Sequence, residues 1–150
     1  MTGFVAQDPA YEERVRASFG RQRFMSTIGA RLDRIAPGEV DIMLDVRPDL
    51  EQQHGFMHAG ALAAAADSAC GYAALSLMAP GTAVLSVEFK INLLAPAAGE
   101  RVRARGRVIR AGRTITVCWG EVVAIAAESE RVVATMVATM MTVRDRGLAD

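Results

Sequence analysis

Between Glu51 and Glu88 one side chain is charged, Asp67, and it stands in a run of alanines. A carboxylate among apolar residues is costly unless it is paired, hydrogen-bonded or protonated. Such a residue is either a polar knot in a core or a general base poised to take a proton from water. Two histidines precede it, in the segment His54-Gly55-Phe56-Met57-His58-Ala59-Gly60. Four residues apart, they have the spacing of a metal pair on a helix. Gly55 and Gly60 instead put them in a loop and a first helical turn, with no third ligand evident, so no metal is expected. Cys70, three residues beyond Asp67, lacks a local base that would make it a thiolate nucleophile.

The carboxylate needs an element to carry it. From His58 to Ala79 the residues are mostly helix formers, and Pro80-Gly81 ends the run. The pattern predicts one long apolar helix with Asp67 near its middle. Ahead of it, Asp8-Pro9 opens a short helix, with Asp8 as cap and Pro9 in the first turn, and Gly20 stops it. Strands are expected near Phe24–Ile35 and Glu39–Val46, joined by the turn Ala36-Pro37-Gly38. In the second, Val40, Ile42, Leu44 and Val46 share a face. A loop from Arg47 to Gln53 leads into the long helix.

After the helix the period changes to two. Leu85, Val87, Phe89, Ile91 and Leu93 point one way, and Ser86, Glu88, Lys90 and Asn92 the other. Further strands are expected over Glu100–Arg110, Thr114–Ala126 and Val132–Val143, with turns at Ala111-Gly112 and Glu128-Ser129-Glu130. A single apolar helix must be covered, and one strongly curved antiparallel sheet wrapped around it is the simplest α+β solution. The expected division is a short helical segment over residues 1–20, one domain over 21–145 and a frayed polar tail over 146–150.

Composition narrows the classes. At 150 residues and 51% hydrophobic the chain is long and apolar enough for one domain with a real core. A net charge of zero gives no footing for non-specific binding to nucleic acid or an anionic membrane. The stretch Ala59–Ala79 is long enough to span a bilayer, but Asp67 near its middle would cost roughly 2.5–3.5 kcal/mol there. Met1–Glu13 has no basic start followed by an apolar core, so no signal peptide is expected. Cys70 and Cys118 read as free buried thiols in a reducing compartment, which points to the cytoplasm. The row Arg101, Arg103, Arg105 and Arg107 reads as a solvated strand face.

This order of elements, with His58-Ala59-Gly60 nine residues ahead of Asp67, resembles the hotdog fold. More narrowly, from about Phe24 to Val143 it resembles the PaaI-type and 4-hydroxybenzoyl-CoA-type acyl-CoA thioesterases. Their signature is an Asn or Gln, then His-Gly-Gly, then an Asp or Glu on the central helix. The resemblance implies that Asp67 is the catalytic carboxylate, Gln52 the signature amide, and Ser86 a strand serine that holds the attacking water in some members. Ala59 replaces the first glycine, whose N–H polarises the thioester carbonyl; the N–H survives, with a methyl added beside it. Gln52 with Asp67 mixes two branches, one pairing Gln with Glu and the other Asn with Asp. The acyl group therefore stays open between aromatic, short and medium-chain. The resemblance also implies hydrolysis of an acyl-CoA without metal or redox cofactor, by a homodimer or a dimer-of-dimers tetramer.

Thioester hydrolysis needs a stabilised oxyanion and an activated water. The N–H groups of Ala59 and Gly60, at the helix start, are suitable donors, and such a donor can be worth about 2.7–4 kcal/mol. Asp67 would act on water as general base, or attack directly to form a mixed anhydride. His54 at the helix entry and His58 in the loop are substrate-side candidates, as are Arg110 and Arg113, whose guanidinium groups suit the phosphates of coenzyme A. Ala59 and Asp67 lie eight residues apart, roughly 12 Å along a helix. One helix cannot easily offer both to one carbonyl carbon, whereas a two-fold-related copy can supply the second. Two other readings stay open: a non-catalytic acyl-CoA or acyl-carrier binder on the same fold, and a hotdog hydratase, for which the paired Asp and His are not visible.

Overall fold

The computed structural model describes residues 3–127 and 129–150; Glu128, the first residue of one expected turn, lies outside them, as do Met1 and Thr2. Helix α1 spans Tyr11–Arg21 and α2 Arg23–Thr27; strands β1 (Arg31–Ala36) and β2 (Glu39–Asp45) follow. The long helix α3 spans Ala59–Leu75, and β3 (Ala83–Leu93), β4 (Arg101–Ala111), β5 (Ile115–Ala126) and β6 (Ser129–Val143) complete the chain. All six strands form one antiparallel sheet in the order β1-β2-β4-β5-β6-β3. Helix α3 packs on β2, β3, β4, β5 and β6. Five strands span roughly 19 Å while a helix is about 10–12 Å across, so the sheet must curve around it. This is the expected hotdog arrangement.

The approach of helix to sheet is set by two glycines. Gly106 on β4 and Gly120 on β5 are direct partners in the ladder. A Cβ at Gly106 would overlap the carbonyl of Ala69 and stand 2.6 Å from the amide nitrogen of Cys70; one at Gly120 would press on Cys70 Sγ at 3.1 Å. Facing this depression, Ala65, Ala66, Ala69 and Ala73 are fully buried. Side chains small enough on both partners let α3 lie almost on the strand backbone.

Several expectations are corrected. Residues 23–27 are helical rather than strand: Met25 and Ile28 are buried three positions apart, a helical spacing, while Phe24 is exposed. Gly20 does not stop α1, which continues to Arg21 until Gln22 turns extended. Asp8 acts two residues before the N-cap Ala10, its carboxylate accepting the Ala10 N–H at 2.9 Å. Helix α3 ends at Leu75, short of Ala79, where Ser76 takes over: its hydroxyl donates to Ala73 O and accepts the Gly38 N–H. The tail is anchored at Asp150, which accepts from Ser18 Oγ at 2.8 Å and from the Val84 N–H at 3.0 Å.

The correction that matters most lies in β3. The ladder with β6 pairs Ser86 with Met140 and Glu88 with Thr139, leaving Val87 as an extra residue. This bulge resets the alternation. Ser86 joins Phe89, Ile91 and Leu93 on the face toward α3, and Leu85 turns outward with Glu88. Among the described residues, no helix is long and apolar enough to cross a membrane.

Candidate active site

Because of the bulge, the Ser86 hydroxyl donates to Asp67 Oδ1 at 2.7 Å. Burial pushes the Asp67 carboxyl above the ordinary carboxylate value of 3.8, and the Ser86 hydrogen bond, which favours the ion, pulls part of the way back. Asp67 is thus a more basic carboxylate that is still held for use. On the reading that Asp67 is the base, it must be ionised, and activity should fall as pH drops through this raised value. Ser86→Ala removes the lowering influence. The acid limb of the kcat/KM profile should then move to higher pH, with a rate loss of roughly 10- to 150-fold, since hydrogen bonds to charged groups contribute about 1.5–3 kcal/mol. A pH–rate profile in which the limb stays put would show that the hydroxyl does not tune Asp67.

Asp67 and Ser86 line a cavity of about 120 Å³ with Ser18, Gln22, Ser68, Gly71, Tyr72, Val84 and Asp150. The start of α3 opens onto a different one, about 360 Å³, lined by Gln52, Phe56, Ala59, Leu62, Leu93 and Leu94 among others. Within one chain the structure therefore does not bring Ala59 and Gln52 together with Asp67 and Ser86.

At the helix start the two expected donors separate. His58 is the N-cap of α3, and its Nδ1 accepts the Gly60 N–H at 2.8 Å. Gly60 is therefore not a free oxyanion donor, since the His58 side chain already accepts its hydrogen bond. The Ala59 N–H has no partner among the described residues. Gln52 Oε1 accepts from the backbone N–H groups of His54 and Phe56, closing the loop, and its Nε2 has no partner among those residues. His58 caps the helix, and the exposed His54 engages the loop through its backbone.

Three of the four arginines in the row are paired. Arg103 meets Asp33 and Glu130, Arg105 meets Glu121 and Glu130, and Arg107 stands 2.6 Å from Asp41 Oδ1 in an ionic contact whose angles are not those of a hydrogen bond. Arg110 and Arg113 do not act as a couple. A bulge between Val108 and Arg110 leaves Arg110 opposite Val117 and exposed. Arg113 instead lines a cavity of about 310 Å³ with Arg144, Thr116, Thr142 and Gln7, at the far end of α3. Cys70 is fully buried, and its hydrogen bond with Cys118, reinforced by burial, pushes its thiol well above the usual range. Among the described residues no three metal-binding side chains are grouped.

A family model described as the thioesterase superfamily matches residues 54–126. A thioesterase family protein from Silicibacter pomeroyi is 49% identical, with a TM-score of 0.88 over 89% of this chain and 98% of the other. The chain belongs to the thioesterase superfamily. Its class is that of thioester hydrolases. Two more distant structures agree in fold alone. The Escherichia coli PaaI protein from the phenylacetic acid degradation operon has a TM-score of 0.81 at 21% identity, over 92% of this chain and 96% of its own. A thioesterase from Haemophilus influenzae has a TM-score of 0.78 at 20% identity, over 88% and 90%. No curated protein matches.

In this thioesterase several residues lining these cavities escape a sequence reading. Ser18 and Gln22 come from α1 and its end, and Asp150 from the tail, so only tertiary contact reveals them. Arg144, beside Arg113, is another. Tyr72 and Gly71 were within reach, since they follow Asp67 by five and four residues on the same helix.

Proposed function

We propose that this thioesterase hydrolyses an acyl-CoA, and that its site is divided between two chains. The observation that carries the reading is the Asp67–Ser86 pair at a cavity, on the same helix whose first N–H, at Ala59, is unbonded. Asp67 takes a proton as water attacks the carbonyl carbon. The Ala59 N–H, at the positive end of α3, holds the developing oxyanion. The C–S bond then breaks, and the leaving thiolate is protonated. Direct attack by Asp67, through a mixed anhydride hydrolysed in a second step, uses the same atoms. The Gln52 amide lies beside Ala59 and orients the thioester, while Arg113 and Arg144 suit the phosphates of coenzyme A. The two free cysteines fit a cytoplasmic setting.

The two-chain reading follows from β3. It is an edge strand, and Leu85, Val87, Phe89 and Leu93 on it are exposed, a combination that invites pairing with another chain. Ser86 lies near one end of β3 and Leu93, which lines the Ala59 cavity, at the other. Two copies of β3 running antiparallel about an axis at Lys90, the midpoint of Ser86 and Leu93 once the extra Val87 is set aside, lay Ser86 of each beside Leu93 of its partner. Asp67 of one chain then faces Ala59 of the other. A tetramer would add a second such dimer.

The test is complementation. Ala59→Pro removes the N–H at the first helical position, where proline is tolerated, and His58 already has the extended backbone that precedes proline. Alone it should lose roughly 100- to 1,000-fold in kcat. Mixed with Asp67→Ala, it should recover one working site per heterodimer. Verified heterodimers without activity would sink the divided site. A second reading, a thioester-binding protein, draws on the loss of the Gly60 donor to His58. Free thiol released from any acyl-CoA rules it out, and thioester bound tightly yet recovered intact supports it.

A further inference from the structure

Gly71 follows Asp67 by one helical turn, so both share a face of α3. Glycine is among the poorest residues for a helix interior, and the residues around it in α3 are largely alanine. Packing does not require it: a Cβ built at Gly71 meets nothing within 4 Å, in a helix that is otherwise largely buried. The open space beside it is the cavity of about 120 Å³ that Asp67 and Ser86 also line. Its other walls are built. Tyr72 is held by an edge-on contact with Phe19, ring centres 5.7 Å apart. Asp150 closes one side, fixed by Ser18 Oγ and by the Val84 N–H.

We infer that this cavity receives the acyl group, and that Gly71 and Asp150 set its size. The inference rests on the proposed acyl-CoA hydrolase and names its substrate class, a short, compact acyl group. The volume decides against a long chain: a cavity of about 150 Å³ accommodates benzene, and this one is smaller. The wall is also fixed: Ser18 bonds to Asp150 and Tyr72, and Ser68 to Gln22, so the lining cannot swing aside for a larger group. The methyl of Gly71→Ala projects into the cavity beside the acyl group. Asp150→Ala removes a wall.

The experiment is kcat/KM for acetyl-, butyryl-, phenylacetyl- and lauroyl-CoA, measured on wild type, Gly71→Ala and Asp150→Ala, with Tm for each. Wild type should prefer the shorter groups over lauroyl. Gly71→Ala should cut the butyryl-to-acetyl ratio at least tenfold while its Tm holds or rises, which separates lost room from lost folding. Asp150→Ala should move the butyryl-to-acetyl ratio the other way. Unchanged ratios in a folded Gly71→Ala, or a wild type that favours lauroyl-CoA, would overturn the assignment while leaving the hydrolase standing. A wild type that releases no thiol from any of the four would overturn both.

Discussion

Asp67→Asn should leave a well-folded protein whose kcat on its best acyl-CoA is lower by roughly 100- to 10,000-fold, the range over which a positioned base contributes. The amide keeps the shape and can still accept from Ser86, so what is lost is the proton acceptor or nucleophile. Stability should move the opposite way. Burial raises the Asp67 pKa, which means that folding disfavours its ionised form. That penalty is present at neutral pH and vanishes as pH falls through the raised value, where the folded protein carries the neutral acid. The Tm of Asp67→Asn should therefore equal or exceed that of wild type at pH 7, with the difference shrinking on acidification. Thiol release and thermal melts at two pH values check both halves. Undiminished turnover would remove Asp67 from the chemistry.

Gly106→Ala should be the most damaging single methyl in the chain. It would collide with the backbone of α3 at Ala69 and Cys70 rather than with a side chain that can swing away. Overpacking costs typically 1–3 kcal/mol and occasionally more, and a rigid backbone obstacle places this case at about 3 kcal/mol. For a domain of this size that is roughly 6–12 °C in Tm. The helix that must shift carries both Asp67 and the Ala59 N–H, so activity should fall even where the protein remains folded. Gly120→Ala is the milder companion, because it meets Cys70 Sγ and the Met136 side chain, which can adjust. Equal Tm values for wild type and Gly106→Ala would mean that helix and sheet are looser than their glycine contact indicates.

What was legible from the chain follows from the range of each signal. Asp67 stands out because nothing charged surrounds it, and the long helix because a run of helix formers follows His58; both are local facts. The curved sheet followed from a single apolar helix needing cover. The face of Ser86 was not legible, because alternation alone carries no sign of the extra residue at Val87. Residues 23–27 were misread because a short apolar run has too few positions to separate a period of two from 3.6. The Gly60 N–H was overcounted as a donor because the His58 side chain competes for it, and only geometry records the outcome. Ser18, Gln22 and Asp150 reach the cavity from both ends of the chain, beyond any spacing rule.

The two cavities at which Asp67 and Ala59 open have a consequence for mass action. On the divided-site reading a lone chain holds every catalytic group and no complete centre. Turnover per chain then depends on how many chains are present. Below the dimer dissociation constant, specific activity should decline in proportion to concentration, and total rate should grow with its square. The amount of protein made would then govern the rate twice, once through the number of chains and again through the fraction that are paired.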